Sequence, residues 1–359
     1  MPGALLLAHD RFDPLWGKTA VCILRYNPGR AVAVVDRSNA GRDAGEVVGP
    51  VGRGVPVVAS VEEGLRFGPD EVVIGIAPVG GALPDAWRPD LRAALDNGLG
   101  VVSGLHTFLA DDPELSALAQ KSGASIVDVR RPPAEKRILD GSGRRVRAPV
   151  VLTVGTDCSS GKMTTAVEIV RAARARGLRA AFAATGQTGI MIGADAGVAV
   201  DAVVSDFVAG ATERLVLECA RSDPDLIVVE GQGTLTHPAY AGVTASLLFG
   251  ACPDLLVLCH DARRKEMKGF GAKLRSPREE IALNETLLSG WTRGKACAVS
   301  LMTLGLSERA AKDAVARVRR QTRLPTTDPV RSGPKPLLDA VLARAGKIPG
   351  KRALRRLKR

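Results

Sequence analysis

The sequence predicts an α/β protein of two domains: an N-terminal Rossmann-like parallel sheet and a C-terminal P-loop NTPase-like, doubly wound domain. Three observations predict it. Short β-branched runs alternate with helical segments along most of the 359 residues. Only 3% of the residues are aromatic while 45% are hydrophobic, a small-residue composition that suits helices packed on sheets better than an all-β sandwich. An apolar run ending at Val154 passes straight into a loop with Gly155, Gly161 and Lys162. A chain of this length can bury two cores.

In the first domain, residues 1–130, apolar runs at 19–24, 31–35, 56–59, 71–76, 100–103 and 125–127 predict buried strands. Helices are predicted at 61–67, 89–97 and 113–122, each with Pro or acidic residues near its start. No G-x-G-x-x-G follows the first strand, so no NAD site is expected, and a bare Rossmann-like scaffold does not identify a ligand. The polar stretch 131–148, with Pro132, Pro133, Gly141 and Gly143, predicts a connection between domains. The P-loop domain is expected over 149–345, with strands at 149–154, 179–184, 225–229, 254–258 and 295–301. Its helices are predicted at 161–176, 206–221, 277–291 and 307–321. No internal repeat is evident.

Residues 346–359 form a basic tail. The formal charge is +12, and the last thirteen residues carry Lys347, Lys351, Arg352, Arg355, Arg356, Lys358 and Arg359 with no acid, leaving +5 for the rest. Such a run can bind nucleic acid or anionic lipid, but without interleaved aromatic residues it offers no base-stacking platform, and a solvated tail is expected. No specific nucleic-acid binding is expected. Cys22, Cys158, Cys219, Cys252, Cys259 and Cys297 form no CxxC pair, which predicts reduced thiols and neither a zinc site nor a disulfide framework. The apolar patch at 4–8 lacks a basic region before it, and no run approaches the length of a membrane span, so a cytoplasmic protein is expected.

The loop Gly155, Thr156, Asp157, Cys158, Ser159, Ser160, Gly161, Lys162, Met163, Thr164, Thr165 carries the strongest chemical signal. Glycines let the backbone curl so that N–H groups and a helix N-terminus face a phosphate, which a lysine reaches as a point charge. Met163 stands where a nucleotide hydrolase places the hydroxyl that binds Mg²⁺; phosphate binding is therefore a firmer expectation than hydrolysis, and no metal ligand is assigned. Glu230 ends the buried strand 225–229 before Gly231 and Gly233, where it can hold Mg²⁺, orient water, take a proton or simply cap the turn.

The run Ala184-Thr-Gly-Gln187-Thr-Gly189 is expected at the same sheet edge, with Gln187 as a substrate contact. His237, followed by Tyr240, is a candidate acid or base, or a structural hydrogen-bonding residue. Six cations, Arg263, Arg264, Lys265, Lys268, Lys273 and Arg275, follow the strand 254–258 and suit an anionic substrate or a solvated loop; Arg263, Lys268 and Arg275 are taken as substrate contacts. Cys158 lies inside the loop, but a thiol nucleophile needs a base or a lowered pKa.

Two resemblances rest on these motifs. The Gly-Thr-Asp-x-x-x-Gly-Lys pattern of Gly155–Lys162 and the Val-Glu-Gly of Val229–Gly231 resemble dethiobiotin synthetase and cobyrinic acid amide synthetase relatives. Over nearly the whole chain, the sequence resembles the DgcN-type D-glutamate N-acetyltransferase family, formerly a domain of unknown function. That likeness runs through Gly104-Leu-His-Thr-Phe-Leu-Ala-Asp-Asp-Pro-Glu114, the loop itself, the run 184–189, Glu230-Gly-Gln-Gly and His237-Pro-Ala-Tyr.

The longer resemblance implies acetyl transfer from acetyl-CoA to the amine of D-glutamate, in a D-amino-acid catabolic route with a partner dehydrogenase. The donor's phosphates would lie on the loop without Mg²⁺, the substrate carboxylates near the cations of 263–275, and the amine proton would pass to Glu230 or His237. The shorter one implies an ATP/Mg²⁺-dependent ligase or kinase that activates a carboxylate, with Thr164, Thr165 and Glu230 serving the metal. A nucleotide-binding switch is a third alternative. The expected partners are an anionic small molecule and, with the oligomeric state left open, further copies of the chain.

Overall fold

The computed structural model describes residues 2–13, 16–76 and 80–351. It divides into two compact units: residues 1–132 with 187–193, and residues 133–186 with 194–359. Both are parallel sheets with helical connections, so the predicted α/β class holds.

The first unit runs β1 (Ala4–Leu7), α1 (Lys18–Tyr26), β2 (Ala31–Val35), α2 (Ala44–Val48), β3 (Val57–Val58), α3 (Val61–Gly64), β4 (Glu71–Ile74), α4 (Arg88–Asp96), β5 (Gly100–Ser103), α5 (Pro113–Ser122) and β6 (Ile126–Asp128). Its strand order is β3-β2-β1-β4-β5-β6, the doubly wound Rossmann arrangement. Two expectations are corrected here. The stretch 19–24 is the middle of α1, because six consecutive buried residues look alike in a fully buried helix and a fully buried strand. The first strand is instead the short patch at the N-terminus, β1, every residue of which is buried between β2 and β4.

The second unit begins with the stretch expected to be a bare connection. Its turn at Ser142–Arg145 is fastened by the fully buried Glu213, which accepts from Gly143 N (3.0 Å) and Asp140 N (3.2 Å). Then follow β7 (Val150–Gly155), α6 (Lys162–Ala175), β8 (Ala180–Ala184), α7 (Gln187–Met191), β9 (Ala196–Gly197), α8 (Val208–Ala220) and β10 (Leu226–Val229). After these come α9 (Ala241–Ala251), β11 (Leu255–Asp261), α10 (Pro277–Leu288), β12 (Lys295–Met302), α11 (Glu308–Thr322), β13 (Thr326–Thr327) and α12 (Lys335–Ala345).

The strand order β13-β12-β11-β7-β10-β8-β9 places β7 between β10 and β11. The loops after all three therefore open on one sheet edge, the usual position of a ligand in open parallel sheets. α7 is counted with the first unit, where Thr188 Oγ1 meets Thr19 Oγ1 at 2.9 Å.

Of the basic tail, Lys351 is held in the structure: its Nζ meets Asp254 Oδ2 at 2.9 Å and donates to Val146 O at 2.9 Å, with the side chain only 9% exposed. Arg352, Arg355, Arg356, Lys358 and Arg359 lie outside the described residues. No helix among the described residues is long and apolar enough to cross a membrane.

Candidate phosphate-loop site

Positive φ at Ser159 (52°) and Gly161 (90°) curls the backbone between β7 and α6, an alternation that turns successive N–H groups toward one side. Lys162, at the first position of α6, is buried and folds back, donating from Nζ to Asp157 O (2.8 Å) and Ser160 Oγ (3.4 Å). Two glycines clear space for it. A Cβ on Gly155 would stand 2.6 Å from Ser160 Oγ and 2.8 Å from Lys162 Nζ. A Cβ on Gly231 would stand 1.6 Å from Thr153 O and 3.1 Å from Lys162 Cδ. Lys162 and the Glu230–Gly231 turn are thus neighbours.

Glu230 is 5% exposed and bonded from two directions: its Oε2 accepts from Thr185 N (3.1 Å), and its carbonyl accepts from Thr185 Oγ1 (2.8 Å). Gln232 Nε2 donates to the same threonine hydroxyl at 3.1 Å, linking the ends of β8 and β10. The hydroxyls expected to serve a metal are placed unequally. Met163 is buried, Thr164 is half-buried, and Thr165 turns into the sheet, where its Oγ1 meets Ser300 Oγ at 2.7 Å and accepts from Cys259 Sγ at 3.4 Å.

Of the cations after β11, Lys265, Lys268 and Lys273 belong to a small hairpin across residues 265–274, closed by Leu274 N→Lys265 O (2.9 Å) and Met267 N→Ala272 O (2.6 Å), and Arg263, Arg264 and Arg275 flank it. It docks on the loop through the buried Asp157, whose Oδ2 accepts from Arg264 Nη1 and from Lys268 N, both at 2.9 Å. Arg263 pairs with Asp261 at 3.2 Å, while the side chains of Lys265, Lys268, Lys273 and Arg275 are exposed. Thr156 Oγ1 lies 2.9 Å from His260 Nδ1. Burial pushes that imidazole down to about 4, so it is neutral near pH 7.

His237 is buried, and both ring nitrogens face the protein. Its Nδ1 accepts from Ala239 N (3.2 Å), which leaves the proton on Nε2, 3.4 Å from Lys268 O and 4.0 Å from Asp157 Oδ1. Asp157, Cys158 and His237 each bring one ligating atom within 4.8 Å of the others. Arg264 already neutralises the carboxylate, and burial pushes the Cys158 thiol up, so this trio is a poor ligand set for a cation and its thiol a poor nucleophile at rest. Gln187 falls in the first unit, where its Oε1 accepts from Arg130 Nη1 at 3.2 Å.

Thr153, Thr234 and Glu280 are not marked out by any motif of the sequence, and Thr185 is marked only as part of the run 184–189. Thr234 Oγ1 donates to Glu280 Oε1 and so ties the segment between Glu230 and His237 to α10. Glu280 Oε2 and Asn284 Oδ1 are buried without a partner among the described residues, and burial raises the Glu280 carboxyl. Glu280 lies in the first helical turn after Ser276, where an acid ordinarily marks a helix start rather than a contact to a distant loop.

The sequence matches a family described as a domain of unknown function, DUF1611, through its Rossmann-like domain over residues 37–132 and its P-loop domain over residues 137–338. The chain belongs to the DUF1611 family. A DUF1611 family protein from Anabaena variabilis, known from a crystal structure, shares 42% identity at a TM-score of 0.89, covering 96% of this chain and all of that one. A protein of Tritonibacter scottomollicae named D-glutamate N-acetyltransferase is 37% identical over 94% of this chain and 98% of its own length. One of the same name from a Pseudoalteromonas species is 35% identical over 79% of this chain and 83% of its own. The resemblance stated from the motifs thus extends over the chain.

Proposed function

We propose that this protein is an acetyl-CoA-dependent N-acetyltransferase acting on the amine of an amino acid, D-glutamate in the first instance, with the donor's phosphates on the loop 155–165. The observation that carries the reading is the likeness, at 37% identity over 94% of the chain, to a protein named for that activity. Local chemistry supports it. A curled loop with a buried lysine suits phosphate oxygens, and with Thr165 turned to Ser300 and Met163 buried, it is poorly arranged to complete a Mg²⁺ shell.

In this reaction the amine nitrogen attacks the acetyl carbonyl carbon, the thioester C–S bond breaks, and the proton that the amine gives up passes by way of its acceptor to the departing coenzyme A thiolate, which leaves as the thiol. Glu230, a buried carboxylate at the sheet edge, is the proposed acceptor of that proton. His237 can serve only if its Nδ1 is released from Ala239. The pantetheine arm separates the thioester from the phosphates, so either acceptor requires the donor to fold back over the loop. The exposed side chains of Lys268 and Arg275, and Arg263 beside them, are the proposed contacts for the substrate carboxylates.

Steady-state kinetics of Lys162→Ala and Glu230→Gln test the assignment. Losing a charge-assisted phosphate contact should raise KM for acetyl-CoA by about 10–100-fold. Losing the proton acceptor should instead lower kcat, with KM little changed. An unaltered KM in Lys162→Ala would remove the donor's phosphates from the loop.

A further inference from the structure

We infer that Tyr240 and Phe270, mounted on His237, form a stacking platform for the adenine ring of the ligand whose phosphates the loop holds. The inference rests on the proposed donor-binding reading and adds a base subsite to it. Aromatic residues are scarce in this chain, 3% of the total, and among the described ones only Trp16, Tyr240 and Phe270 are exposed. Tyr240 and Phe270 are 49% and 52% exposed, and both converge on one buried imidazole. The Tyr240 ring stacks on His237 at a centroid distance of 4.6 Å, and Phe270 meets the same ring edge-on at 5.0 Å.

The two rings are held in place by the backbone. Phe270 sits at the hairpin tip between Gly269 (φ 85°) and Gly271 (φ 63°), its N–H bonded to Met267 O at 3.2 Å. Tyr240 precedes α9, donates its N–H to His237 O at 3.1 Å, and packs where a Cβ on Gly233 would come within 2.8 Å of its own Cβ. One face of Tyr240 is covered by the histidine, which leaves the outer face for a flat ligand ring.

The platform also adjoins the loop. His237 Nε2 lies 4.0 Å from Asp157 Oδ1, and Lys268, two residues before Phe270, is bonded to Asp157 through its backbone. A ligand with phosphates on the loop and an adenine a sugar's length away can contact both. Stacking on an exposed aromatic face is worth enough to be read as a tenfold change or more.

Calorimetric titration of the full-length protein with adenosine 3′,5′-bisphosphate, acetyl-CoA and inorganic pyrophosphate tests this. The proteins compared are the wild type, Tyr240→Ala, Phe270→Ala and Tyr240→Phe. The expected result is an approximately tenfold weaker affinity for both adenine ligands in the two alanine variants, unchanged affinity for pyrophosphate, and near wild-type behaviour in Tyr240→Phe, which also controls for folding. Unchanged affinity for the adenine ligands, or an equal loss for pyrophosphate, overturns the platform. If the alanine variants bind like the wild type while the wild type still acetylates D-glutamate, the platform falls and the proposed function stands. If the wild type does not use acetyl-CoA, that function falls, and the bisphosphate titration still decides the platform.

Discussion

His260 shows how a single residue behind the loop couples to pH. Its imidazole is half-buried and bonded to Thr156, and desolvation lowers its pKa from 6.5 to about 4. A histidine depressed in the folded state contributes stability that is present above pH 6.5 and is lost as the pH falls through about 4. The expected loss across that window is up to about 3 kcal/mol. In His260→Asn, which keeps an acceptor for Thr156, urea-unfolding stabilities between pH 7 and 4 should decline less than in the wild type by that amount. Parallel decline in both proteins would mean that His260 is not the titrating group. Nothing in the sequence distinguished His260, just beyond the strand expected at 254–258, because its perturbation is desolvation that only the folded chain imposes. Lys162 and Gly161, by contrast, were legible as a pair, since the lysine must follow the turn that its glycine permits.

At the scale of elements, the loop was readable because strand, turn and helix are consecutive in the chain. His237, Lys268 and the run 184–189 were also expected near it, but their bonds to Asp157, Glu230 and one another were not, nor was Thr234, because only the parallel sheet order brings these segments beside β7. α1 shows the opposite failure: its six-residue buried run carries no periodicity that separates helix from strand, so the burial was foreseen and the element was not. α10 matters to the site through its start. Ser276 and Glu279 form a capping box there, and the next residue, Glu280, holds Thr234. Ser276→Ala should lower stability by about 1 kcal/mol, measured by chemical denaturation, because an orphan N–H of the first turn loses its acceptor. An unchanged midpoint would show that Pro277 and the packing of the helix suffice.

Across the whole molecule, two parallel sheets and a P-loop unit followed from composition and alternation, and the family match spans both units. The chain's path between them was harder to foresee: residues 187–193 are counted with the first unit although they lie between β8 and β9 of the second. The same segment carries Gln187, which was expected as a substrate contact at the edge of the second sheet. The C-terminal charge was likewise only partly legible, since Lys351 is fastened to Asp254 where a solvated tail was expected. These features leave the central claim with the phosphate loop and the donor it serves. Its most direct test is to incubate the protein with acetyl-CoA and D-glutamate in the presence of EDTA and to quantify N-acetyl-D-glutamate and released thiol. Equal amounts of both are expected, with no requirement for ATP or Mg²⁺. No acetylated product, together with D-glutamate-dependent cleavage of Mg-ATP, would contradict it.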